Sequence, residues 1–246
     1  MADIQKNTVF DITLTEADGS FRIGTDAVLL SAYIKENKGA WALEIGAGSG
    51  AISLLLAKRG AFKRIHAIEL QEELYLTMKQ NISANAFDES IIPVCADIRS
   101  VNPDEYKGVG VIFSNPPYMK ADSGKSSPSA MRQTARHETH GGVYDFCLTA
   151  SKILKTGGRL YLVYRPDRLE TLMYSLKSCG FSPKRMTFVH SDIDHSPSSV
   201  LIEAVLDAKE SLFVTKPLFL NANGGESDDL KYIYQYGKFS EKFQTI

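Results

Sequence analysis

Apolar and polar positions along the chain switch between two spacings. Short apolar-rich runs at residues 41–45, 64–68, 91–95, 109–113 and 159–164 are bounded by glycine, proline or acidic residues, the pattern of buried strands. Between them lie stretches whose apolar side chains recur every three to four positions. Examples are Leu74, Met78 and Ile82, then Phe146, Ala150, Ile153 and Leu154, then Leu169, Leu172, Met173 and Leu176. That spacing gathers them on one face of a helix. Strands alternating with helices predict an α/β fold with a mainly parallel sheet. Two further runs, 184–190 and 199–206, are joined by a short Asp/Ser/Pro loop, too short for a helical crossover, so the last strand runs antiparallel. The expected architecture is a seven-stranded sheet with helices on both faces.

Helix ends are written in the usual way. Thr25 or Asp26 is placed to cap a helix carrying Val28, Leu29 and Ala32, a helix runs from about Gln71 to Ala86, Asp145 caps another, and Pro166 opens the next. No internal repeat or interdomain linker interrupts the pattern, so residues 1–246 read as one domain. Residues 1–20 form a polar arm. Residues 119–143 hold Lys120, Lys125, Arg132 and Arg136 with no sustained period, and read as a long mobile loop. Its charges are either simply solvated or form a basic lid that orders on a polyanion. The tail, 211–246, carries enough aromatic residues to pack back on the domain.

Composition narrows the class without naming a partner. With 43% hydrophobic and 23% charged residues the chain has ample core, and a net charge of −1 means that a phosphate-rich partner needs a local basic patch. Cys95, Cys147 and Cys179 are odd in number, widely spaced and flanked by apolar residues, which predicts reduced, buried thiols and no metal cage. The N-terminus lacks a basic-then-apolar signal, and no apolar run approaches the roughly 18 residues of a membrane span. A cytoplasmic, monomeric protein is expected.

Candidate chemistry sits at the ends of the predicted strands. The first runs into Gly46-Ala47-Gly48-Ser49-Gly50 and a helix, a strand–glycine loop–helix unit that lets a ligand approach the backbone and the helix's free N–H groups. The second ends in Glu69, nineteen residues beyond Gly50, where a carboxylate accepts hydrogen bonds from both hydroxyls of a ribose. A nucleoside-type cofactor is implied. Asp97 follows the third strand, at the edge where open α/β sheets bind ligands. The fourth delivers Asn115-Pro116-Pro117-Tyr118 to that same edge. Two prolines fix this turn; the Asn115 amide oxygen and the Pro116 carbonyl accept hydrogen bonds, and the Tyr118 ring stands by. Such a corner grips a flat group bearing an exocyclic amine.

The loop Glu44-Ile45-Gly46-Ala47-Gly48-Ser49-Gly50 departs from the dinucleotide pattern, because the third glycine comes one residue early. It resembles that of the Rossmann-like S-adenosylmethionine methyltransferases. With residues 24–30, 115–118, 164–169 and 199–204, it makes the chain similar, over most of its length, to the bacterial methyltransferases that modify N6 of adenosine 37 in a valine-accepting tRNA. The resemblance implies S-adenosylmethionine held by Thr25, Asp26, Glu44, Gly46, Gly48, Gly50, Glu69, Asp97 and Asn115. It implies catalysis by Asn115, Pro116 and Tyr118, and an anticodon-loop substrate. Lys120, Arg136, Lys184 and Arg185 are then candidate phosphate contacts. Two alternatives remain: the same turn fits a glutamine amide of a protein such as a release factor, and a cofactor- or RNA-binding protein without turnover keeps the same fold.

Overall fold

The computed structural model describes residues 12–15, 23–116 and 142–243. Most of the expected arm at 1–20 and of the loop at 119–143, Lys120 and Arg136 among them, lies outside the described residues, as does Tyr118. In chain order come helix α1 (Thr25–Tyr33), strand β1 (Asn37–Ile45), α2 (Ala51–Lys58), β2 (Phe62–Glu69), α3 (Glu72–Ala84), β3 (Ile91–Cys95) and β4 (Val109–Ser114). Further along the chain follow α4 (Val143–Ile153), β5 (Arg159–Tyr164), α5 (Leu169–Ser178), β6 (Phe181–His190) and β7 (Pro197–Leu206). The tail adds two-residue strands β8 (Phe213–Val214), β9 (Leu218–Phe219), β10 (Asn221–Ala222) and β11 (Gly225–Glu226), then α6 (Asp228–Tyr236).

The main sheet has the order β3-β2-β1-β4-β5-β7-β6-β8, with β9 also on β6. Among the described residues it therefore has nine strands rather than the expected seven: β8 and β9 are too short to show any alternation in sequence, yet they pair along β6. Strands β1 to β5 are mutually parallel where they pair, and β7 runs antiparallel to both β5 and β6 as expected. Strand order reverses between β1 and β4, and at such a switch point the carboxyl ends of the strands open a crevice.

Period-two alternation sends successive side chains to opposite faces. Val111, Phe113, Tyr161 and Val163 join the core under α1, α2 and α3, while Ile112, Leu160 and Leu162 join the one under α4 and α5. The tail closes the first core: Leu230, Ile233, Phe239 and Phe243 are buried in it, and Phe239 meets Tyr33 edge-on at 5.3 Å. Of the three free cysteines, Cys147 and Cys179 are buried but Cys95 is exposed, because it ends β3 at the rim of the sheet. Neither Thr25/Asp26 nor Asp145 caps its helix. The caps are Gly24 and Gly142, and the acidic residues lie in the first turns, where they favour the helix dipole.

Candidate active site

The glycine loop forms because three residues must turn the chain from β1 into α2 inside a packed interior. Gly46, Gly48 and Gly50 all take positive φ, at 69°, 56° and 88°. Two acidic side chains hold the loop. Glu69 Oε2 accepts the Gly48 N–H at 2.8 Å and its Oε1 accepts the Gln71 N–H at 2.9 Å. Glu44, wholly buried, accepts both the backbone N–H of Ser53 at 3.1 Å and the Ser53 hydroxyl. Burial pushes the Glu44 carboxyl up to about 8 despite the two Ser53 donors, with the nearby Glu69 charge adding to the rise.

A cavity of about 540 Å³ opens over this loop, within the size range of small-molecule sites. Gly46, Gly48, Glu44, Thr25, Asp26 and Asn115, all expected site residues, line it. Leu74, Val189, Ser198, Ser199 and Leu220, none of them expected as site residues, line it too. Ser199 does open the 199–204 segment, but Leu220 sits in a tail with no readable periodicity. Gly50 and Glu69, also expected, are not among the described residues lining it, although Glu69 bonds the lining residue Gly48. Asp97 is not among the described residues lining the cavity; its carboxylate takes the Arg99 side chain through Nε at 2.9 Å and the Arg99 N–H at 2.9 Å.

Asn115 and Pro116 follow directly on β4, the neighbour of β1 across the switch point. The Asn115 side-chain oxygen is buried and accepts no hydrogen bond from any described residue. An orphaned buried acceptor costs about 1–3 kcal/mol, so it stands ready for a donor that arrives with a ligand. Tyr118, the third expected catalytic residue, lies outside the described residues.

One of the candidate phosphate contacts is corrected by its surroundings, and another stands away from the cavity. Arg185 is 1% exposed: its Nε lies 3.1 Å from Glu203 Oε2, its guanidinium stacks 3.7 Å from the Tyr33 ring, and it donates to the Tyr33 carbonyl at 2.6 Å. Arg159 and Lys35 also pair with Glu203. Arg185 is thus part of the core and cannot meet a phosphate. Lys184 donates to the Lys209 carbonyl and to Ser211 Oγ, six residues before the carboxyl end of β6 and so about 20 Å from the site edge.

These parts fit a nucleoside-type methyl donor: a glycine loop that only small residues can form, a carboxylate at the end of β2, and an orphaned amide oxygen beside them. Fold and site together define a Rossmann-like methyltransferase that uses S-adenosylmethionine. Residues 20–120 match the family model described as the TRM5/TYW2 methyltransferase domain. The tRNA1(Val) (adenine(37)-N6)-methyltransferase of Parabacteroides distasonis is 31% identical over 227 residues, which are 92% of this chain and 89% of that one. The protein of the same name from Porphyromonas gingivalis is 31% identical over 201 residues, 79% of this chain and 77% of its own. A crystal structure of a predicted O-methyltransferase from Agrobacterium tumefaciens superposes with a TM-score of 0.70 at 20% identity, covering 88% of this chain and 98% of that one. This chain belongs to the tRNA1(Val) (adenine(37)-N6)-methyltransferase family.

Among the described residues no helix is long and apolar enough to cross a membrane.

Proposed function

We propose that the protein methylates the N6 amino group of an adenine in tRNA, at adenosine 37 in the anticodon loop of a valine-accepting tRNA, acting as a cytoplasmic monomer. The observation that carries this reading is the buried Asn115 oxygen, without a partner among the described residues, at the switch point one strand away from the glycine loop. When bound, S-adenosylmethionine supplies an electrophilic methyl group. Thr25, Glu44, Gly46, Gly48, Gly50 and Glu69 are the residues to hold it, with Asp97 at the far side. Glu69 already uses one lone pair on each oxygen and keeps others for a diol.

An adenine amine is a poor nucleophile because its lone pair is delocalised into the ring. Its two N–H groups donate to Asn115 Oδ1 and the Pro116 carbonyl, which localises the lone pair and aims it toward the glycine loop. No base is needed beforehand, since the proton leaves after nitrogen is alkylated. Positioning and fixed dipoles provide the acceleration. Tyr118 stacks on the base, a contact worth about 1–3 kcal/mol in comparable sites. The base must be unpaired or flipped out to reach the turn. Lys120 and Arg136 remain the candidate phosphate contacts.

The test is transfer from methyl-labelled S-adenosylmethionine to unmodified tRNA. Asn115→Ala abolishes transfer while the cofactor still binds. Label that appears on glutamine of a release factor and on no RNA overturns the reading.

A further inference from the structure

The cavity reaches from the glycine loop to residues of β6, β7 and the tail. The side chains that hold the glycine loop, Glu44 and Glu69, come from β1 and β2, one half of the sheet; Asn115 stands at the border, directly after β4. Beyond the border the wall is built by Ser198 and Ser199 on β7, Val189 on β6 and Leu220 from the tail. Asp26 belongs to this second half. Ser199 Oγ donates to Asp26 Oδ1 at 3.3 Å, linking the first turn of α1 to the start of β7 across 173 positions of sequence. Ser199 is 4% exposed, so this hydroxyl fixes the carboxylate from below.

Resting on the tRNA-methylation reading above, we infer that Asp26, expected from sequence to serve the cofactor, instead accepts a hydrogen bond from the ribose 2′-hydroxyl of the target nucleotide. Ser199 acts as its positioning residue. β7 is two strands from β4, a spacing of about 10 Å. A purine held by its amine at Asn115 projects its sugar across that span, and a hydrogen bond at each end closes the remainder. Val189 and Leu220 provide apolar surface along the way. A carboxylate accepts from a hydroxyl and repels a phosphate, so this wall selects the sugar edge rather than the backbone. The 2′-hydroxyl is also the group that separates RNA from DNA at a single position.

The experiment compares two synthetic anticodon stem-loops, one all-ribose and one with 2′-deoxyadenosine at the target position. For the unaltered protein, kcat/KM falls about ten-fold or more on the deoxy substrate, as for loss of a hydrogen bond to a charged group. Asp26→Asn lowers activity on the all-ribose RNA and shrinks the ribose/deoxy ratio toward one, while the calorimetric Kd for S-adenosylmethionine stays within about two-fold. Ser199→Ala moves the ratio in the same direction by less, and Ser199→Thr restores it. Melting curves for each variant check that the fold is kept. An unchanged ribose/deoxy ratio in Asp26→Asn, or a loss of cofactor affinity in its place, overturns the inference. If the unaltered protein methylates neither stem-loop nor tRNA, the underlying reading fails instead.

Discussion

The hydroxyl of Ser114, the last residue of β4, donates to the carbonyl of Ile45, the last residue of β1, at 2.7 Å. The parallel ladder between these strands ends at Glu44 and Phe113, so this side-chain bond carries the pairing one residue further. It joins the residue before Gly46 to the residue before Asn115. The two halves of the site are thereby held at one fixed offset.

Ser114→Ala removes that tie and leaves a buried carbonyl without its partner. The expected loss of stability is about 1–3 kcal/mol, read from denaturant unfolding. Because the offset between methyl donor and amine is what changes, single-turnover transfer slows more than cofactor binding weakens.

Gly50→Ala attacks the loop directly. Gly50 has φ of 88°, a region that costs an L-residue about 1–2 kcal/mol, and an added Cβ meets the buried Met78 side chain at 3.0 Å. Thermal unfolding and calorimetric titration of S-adenosylmethionine should both register it, with affinity reduced about ten-fold or more.

Glu44 makes stability depend on pH in an unusual direction. Its carboxyl is raised from 4.5 to about 8, so between those values the unfolded chain has lost a proton that the folded chain retains. Stability therefore falls as pH rises through that window, by up to roughly 1.4 kcal/mol per pH unit from this group, and levels off above it. Glu44→Gln keeps the shape without the titration. Unfolding curves collected from pH 5 to 9 should be flatter for the variant than for the parent.

Arg185 and Lys184 are separated by the kind of loss each substitution produces. Arg185→Ala leaves Glu203 short of its closest buried partner and is expected to cost about 3–5 kcal/mol, measured by denaturation. Lys184→Ala, distant from the cavity, leaves the KM for tRNA within about two-fold. A selective rise in that KM for Lys184→Ala would restore it as a phosphate contact.

The sheet was legible wherever a run of apolar residues ended in a hard stop. Residues 91–95 and 159–164 are strands with the expected bounds. β6 begins three residues earlier than the apolar run indicates, since Pro183 sits at a register shift in the ladder to β7, where its missing N–H does little harm. Glycine loop, Glu69 and Asn115 were readable because their chemistry needs those residues at strand ends. Arg185 was misread because charge in a sequence does not reveal burial. The clue was Glu203, a lone acid inside the run 199–206, which the antiparallel register puts opposite it. The far wall of the cavity was hidden for a different reason: Val189, Ser198 and Leu220 acquire meaning only when β6, β7 and the tail meet at one edge.

Presentation of an adenine N6 of tRNA by the Asn115 turn is tested by incubating unmodified valine-accepting tRNA with the protein and labelled S-adenosylmethionine, digesting the RNA and mapping the labelled nucleotide by mass spectrometry. One N6-methyladenosine is expected, at position 37, absent with Asn115→Ala. Label on a guanine, on a ring nitrogen of adenine, or on any base with Asn115→Ala as active as the parent contradicts it.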